Sequence, residues 1–115
     1  MNKDPLIFIR HMVESMTFIE SFSKGLTKEH LAQDELKQSA IIRKIEIVGE
    51  AAKNLPKEYI SKHPSIPWKD IIGMRDKIIH HYFDIDLDIV WQVITVDLPD
   101  VKKKLNQILR DSRPL

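Results

Sequence analysis

Apolar residues along this chain recur with the spacing of helices, and strict alternation of apolar and polar residues is almost absent. Asp4 followed by Pro5 predicts an N-cap with proline at the first helical position, and Gly25 is a natural stop, so a first helix is expected over residues 5–24. Its apolar residues, among them Ile9, Met12, Met16, Phe18, Ile19 and Phe22, wrap more than half of the circumference. Such a helix needs two partners, and a small bundle offers one core, so a second copy of the chain is expected to cover the other side.

A turn led by Thr27 precedes a longer helix expected over residues 33–54. There Ile41, Ile45, Val48, Ala52 and Leu55 form a narrow seam, with Gly49 beside it permitting close approach of a neighbour. Arg43, Glu46 and Glu50 fall on another side of the same helix. Pro56, Pro64 and Pro67 bracket a connector with room for one helical turn around residues 58–62. A helix over residues 68–82 follows, then a short one over 87–96 carrying Val90, Trp91 and Ile94 inward. Asp97-Leu98-Pro99-Asp100 predicts a fresh cap for a closing helix to about Arg110.

All of this describes one all-α domain over residues 1–115. The 18 basic and 17 acidic residues give a formal charge of +1, which argues against coating nucleic acid by charge alone, so any RNA contact must come from a local patch. The chain has no cysteine, which removes thiolate catalysis and cysteine metal sites. With no apolar run near the ~20 residues of a membrane span and no signal-like opening, a soluble cytoplasmic protein is expected.

The chemistry concentrates in Arg75-Asp76-Lys77-Ile78-Ile79-His80-His81-Tyr82. On a wheel of about 100° per residue, Trp68, Ile71, Ile72, Met74, Ile78, Ile79 and Tyr82 make one apolar arc with Arg75 near its middle. A guanidinium stays protonated and costs several kcal/mol to desolvate unpaired, so its presence there suggests a site. Arg75 suits either a structural ion pair with Glu46, Glu50 or a connector acid, or the binding of a scissile phosphate, and Glu50 serves both by holding the fork. His80, opposite Ile71 and Ile78, is either a solvated surface residue or a group that takes a proton from a ribose 2′-hydroxyl. Arg75 and His80 stand about 140° apart on one ideal helix. Convergence therefore requires either a helix loosened near His80 or two chains meeting at a twofold seam, and the second is expected.

His80 and His81 lack the i, i+3 or i+4 spacing of helical ligands, so no metal site is expected there. His11, His30 and His63 are expected on the surface. Tyr82 is a core aromatic with a polar tip or a hydroxyl held beside the site. Lys102, Lys103 and Lys104 are expected on a solvated helix face, with steering of RNA as the other option.

Arg75-x4-His80-x-Tyr82, preceded by Ile47-Val48-Gly49-Glu50-Ala51-Ala52 and Ile66-Pro67-Trp68 and followed by Asp86-Leu87-Asp88-Ile89-Val90-Trp91, resembles the HepT-like branch of the HEPN superfamily over about residues 5–109. The resemblance implies a four- to five-helix up-down bundle that forms a symmetric homodimer with a shared cleft. It also implies a metal-independent endoribonuclease toxin of a toxin-antitoxin pair, needing no cofactor. In that scheme Arg75 polarises the phosphate and His80 handles the proton of 2′-hydroxyl attack, with Glu50, Asp76 and His81 in support. RNA is then the substrate and DNA is not. The implied partner is a minimal nucleotidyltransferase antitoxin that transfers AMP to Tyr82. Many members carry asparagine after the motif arginine, where this chain has Asp76, a carboxylate able to pair with Arg75 and lower its affinity for phosphate. The competing expectation is a non-catalytic module that docks a nucleotidyltransferase or a nucleotide in the same cleft.

Overall fold

The computed structural model describes residues 4–80 and 84–112, with the His80 side chain left out. Helix α1 (Pro5–Ser23) starts where the Asp4 carboxylate accepts the Leu6 N–H at 3.0 Å, with proline in its first turn. It stops ahead of Gly25, whose φ of 72° is open to glycine at no steric cost. The expected turn at Thr27 is a helix of its own, α2 (Lys28–Ala32), because the Thr27 hydroxyl caps the His30 N–H. Asp34 then caps α3 (Glu35–Lys53). The connector holds α4 (Lys57–Lys62). Its Tyr59 leans on the His63 ring at 4.6 Å, and burial first, then Asp4, pushes the phenol above its ordinary range.

Helix α5 (Trp68–Ile78) ends four residues short of the expected position. After Lys77 the sequence runs Ile-Ile-His-His-Tyr-Phe, β-branched and aromatic residues that favour extended backbone over another helical turn. Strand β1 (Ile79–His80) pairs antiparallel with β2 (Asp84–Ile85), in the register Ile79 with Ile85 and His80 with Asp84. The orphaned carbonyl of Ile78 at the helix end accepts the Asp86 N–H at 2.8 Å. Asp86 also caps the next helix through Ile89.

A second correction concerns the last third of the chain. Asp97 does not cap a separate helix: α6 (Leu87–Gln92) continues through a π turn (Val93–Asp97) into α7 (Leu98–Asp111). Pro99 has no N–H for the Thr95 carbonyl, so a helix running through it must adjust. The wide turn is that adjustment, with the Leu98 N–H reaching back five residues to the Val93 carbonyl.

One buried cluster joins these elements, with Ile9, Met12, Met16, Ile41, Ile45, Val48, Ile71, Ile78, Val90 and Leu105 at its centre. The seam expected on α3 is buried from Ile41 to Leu55. Trp91, expected to point inward, is only half-buried, at the margin of this core. His63 is half-buried, and its carbonyl accepts the Trp68 indole N–H at 3.0 Å. The lysine run is more than a solvated face: Lys102 meets Glu20 of α1 at 2.9 Å, and Lys104 donates to the Ser65 carbonyl at 3.1 Å. On α1, Phe18 is 36% exposed beside half-buried Phe22, so part of the two-sided helix is still uncovered by its own chain.

Helices α3 and α5 cross closely at Gly49, where a Cβ would stand 3.3 Å from the Ile71 carbonyl oxygen and 3.6 Å from that of Ile72. Gly49→Val is therefore expected to destabilise the fold by about 1–3 kcal/mol, read as a lower urea midpoint at unchanged slope. Equal stability would mean that the crossing is not sterically limited.

Candidate functional site

Arg75 sits in the last turn of α5, where the helix dipole favours a cation. The buried stripe of α5 is Trp68, Ile71, Met74 and Ile78, narrower than the arc drawn from the sequence, and Ile72 is 38% exposed. Arg75 therefore lies at the edge of the stripe, with its side chain 51% exposed. It is not a buried cation. Its Nε stands 3.6 Å from Glu46 Oε2 and its Nη1 3.7 Å from Asp76 Oδ1. Charge-assisted hydrogen bonds close to about 2.7–2.9 Å, so these carboxylates neutralise the guanidinium without gripping it.

The expected support from Glu50 takes a different form. Among the described residues no ion pair joins Glu50 to Arg75, and Glu46, one helical turn earlier, faces the guanidinium instead. Glu50 still lines the same cleft, a space of about 400 Å³ between α3 and α5. Its α3 wall carries Ile45, Glu46, Gly49, Glu50 and Lys53, and its α5 wall Ile72, Gly73, Arg75 and Asp76. Three carboxylates thus face two cations. The apolar groove of about 310 Å³ between α5 and the last helical rod, floored by Ile71, Met74, Val93 and Val101, includes neither Arg75 nor an imidazole.

His80 is placed by β1 and not by α5. The 140° separation on a continuous helix therefore does not hold: the helix loosens between Arg75 and His80, the option set beside the twofold seam in the sequence. What the His80 imidazole touches lies outside the described residues, as do His81 and Tyr82. The structure thus brings Arg75, Asp76, Glu46 and Glu50 together at one cleft and brings the backbone of His80 back toward the start of α6. Among the described residues no three of His, Cys, Asp or Glu cluster to hold a metal ion.

Two cleft residues escaped the sequence reading. Lys53 was hidden in the last turn of α3, although its spacing of three from Glu50 and seven from Glu46 puts it on their face. Gly73 gave a signal that was overlooked: a glycine inside a helix costs about 1 kcal/mol relative to alanine and calls for a reason.

The family model described as Ribonuclease HepT-like matches residues 12–108. The chain is 39% identical over 111 residues to "Putative RNase TTE0752" of Caldanaerobacter subterraneus subsp. tengcongensis, covering 96% of this chain and 99% of that protein. It is 38% identical to "Putative RNase MJ0127" of Methanocaldococcus jannaschii, with 95% and 90% covered. It is 37% identical to "Probable ribonuclease HepT" of Thermococcus cleftensis, with 88% and 92% covered. No solved structure matches.

Because Glu46 and Arg75 are partly solvated, their pair contributes little to folding. Glu46→Ala is expected to change the unfolding free energy by less than about 1 kcal/mol, measured by chemical denaturation. A loss of several kcal/mol would identify the pair as structural and remove the basis for a cleft whose cation is available to a ligand.

Proposed function

Since this chain belongs to the Ribonuclease HepT-like family, we propose that it is a metal-independent endoribonuclease, the toxin of a toxin-antitoxin pair acting in the cytoplasm. One observation carries the site assignment. Arg75 stands at an open cleft, half exposed and loosely neutralised, so a phosphate can displace its carboxylate neighbours. Five residues later His80 has left the helix, free of the wheel geometry that would have turned it away.

The chemistry needs only these two groups. The His80 imidazole takes the proton of a ribose 2′-hydroxyl, the 2′-oxygen bonds to phosphorus, and the bond from phosphorus to the 5′-oxygen breaks. The leaving 5′-oxygen receives a proton from an imidazolium. The products are a 2′,3′-cyclic phosphate and a 5′-hydroxyl. Arg75 meets the negative charge that gathers on the phosphoryl oxygens. Asp76 competes for the same guanidinium and lowers its affinity for the substrate phosphate. A symmetric dimer sets two such motifs at one cleft, and the exposed Phe18 supplies apolar surface for it.

Control is exerted at Tyr82 by a nucleotidyltransferase antitoxin. The phenol oxygen attacks the α-phosphorus of ATP, pyrophosphate leaves, and the phenol proton passes to solvent. The added adenylate brings bulk and negative charge to the motif and hinders the binding of an RNA phosphate. A second reading is a module that docks its partner or a nucleotide without cleaving anything, and the excess of carboxylates in the cleft favours the partner.

Purified protein is expected to cut total RNA in the presence of EDTA, and His80→Ala to abolish cleavage while the circular dichroism spectrum is kept. Cleavage that survives the substitution would remove His80 from the mechanism, and absence of cleavage by the wild-type chain would favour the recognition module. Incubation with the antitoxin and ATP is expected to add adenylate mass to the wild-type chain and none to Tyr82→Phe. Equal labelling of that variant would place the modification elsewhere.

A further inference from the structure

The cleft that holds Arg75 carries two residues with no role in the chemistry above, and one of them, Gly73, departs from what stability alone would select. Gly73 lies within α5, where alanine would be the better helix former. At Gly49 a tight crossing explains the glycine, whereas a Cβ at Gly73 would meet nothing within 4 Å. No packing among the described residues requires it. Lys53 is the other residue, an exposed cation in the last turn of α3. Glu46 and Asp76 flank Arg75, while no ion pair engages Lys53 among the described residues.

From this juxtaposition we infer that the space between α3 and α5 is a nucleotide subsite adjoining Arg75. Lys53 takes a phosphate next to the scissile one, and the bare backbone at Gly73 leaves room for the ribose or base between them. The subsite rests on the RNA-cleaving reading and extends it to substrate binding. Size supports it. The volume of about 400 Å³ lies within the ~300–1,000 Å³ range of small-ligand sites. Glu46, Glu50 and Asp76 outnumber Lys53 and Arg75 and oppose a polyanion, so one is held there only where both cations engage its phosphates. Exposed Ile72 on the α5 wall offers an apolar surface to the flat face of a base.

Binding of a short fluorescein-labelled single-stranded RNA of mixed sequence, followed by anisotropy over a series of NaCl concentrations in a His80→Ala background, tests the proposal. Lys53→Ala is expected to weaken binding several-fold and to lower the slope of log K against log salt by about 0.7, the loss of one single-strand phosphate contact. Lys53→Arg restores the slope. Gly73→Ala is expected to raise the melting temperature, because alanine fits the helix freely, yet to weaken RNA binding several-fold with the slope unchanged. Gly73→Val weakens binding further.

An unchanged slope in Lys53→Ala, or binding by Gly73→Ala equal to that of the parent, would overturn the subsite. So would a change in oligomeric state of Gly73→Ala in sedimentation, since the glycine would then be receiving a second copy of the chain. If the parent binds RNA and only these variant effects are missing, the subsite alone fails. If the parent binds no RNA at all, the subsite falls together with the ribonuclease reading.

Discussion

The closeness with which α3 and α5 cross at Gly49 governs the rest of the candidate chemistry. With the Ile71 carbonyl 3.3 Å from where a Cβ would stand, the two backbones are almost in contact. That contact fixes which side chains face each other beyond it. Glu46 on one helix meets Arg75 on the other, and Lys53 and Gly73 line the same opening. A bulkier residue at the crossing would push the helices apart, and the Arg75–Glu46 pair that spans them, already at 3.6 Å, would be lost. The hydrophobic seam from Ile41 to Leu55 holds α3 in place, but the small residue beside it sets the spacing.

Much of the helical layout was written in local signals. Asp4-Pro5, Gly25 and the proline-bracketed connector act within a few residues of the boundaries they set, so their effects survive folding unchanged. The core positions of α3 were equally plain, because burial on one side only leaves a clean period. Elsewhere two local rules conflicted, and reading one of them alone gave the wrong boundary. Pro99 after Asp97 matches a helix start, but the same proline is tolerated in a continuous helix if one turn widens ahead of it. At Ile78 the apolar period carried on through Ile79 and Tyr82 and concealed the change of backbone. The β-branched and aromatic composition was the better guide.

The site was legible as chemistry and less so as geometry. Arg75 and His80 stand out by residue type, since a permanent cation and an imidazole near an apolar pattern are uncommon. Which acid faces Arg75 depends on the crossing of two helices far apart in sequence, and no spacing within α3 distinguishes Glu46 from Glu50 in advance. The wheel also overstated the burial of Arg75 by counting Ile72, which opens to solvent, among the core positions. Lys53 becomes visible only once the cleft has two walls, whereas Gly73, a glycine inside a helix, already stood out in the sequence.

The wide turn at Val93–Asp97 has an evolutionary side as well. A helical rod that already houses a surplus residue can shed it, closing to ordinary α geometry while its Leu87 start and Asp111 end stay docked. Insertions and deletions of one residue in a lineage would therefore gather there. The same deletion upstream of Gly49 in α3 would swing the glycine about 100° away from the crossing, so that helix has no comparable freedom in length.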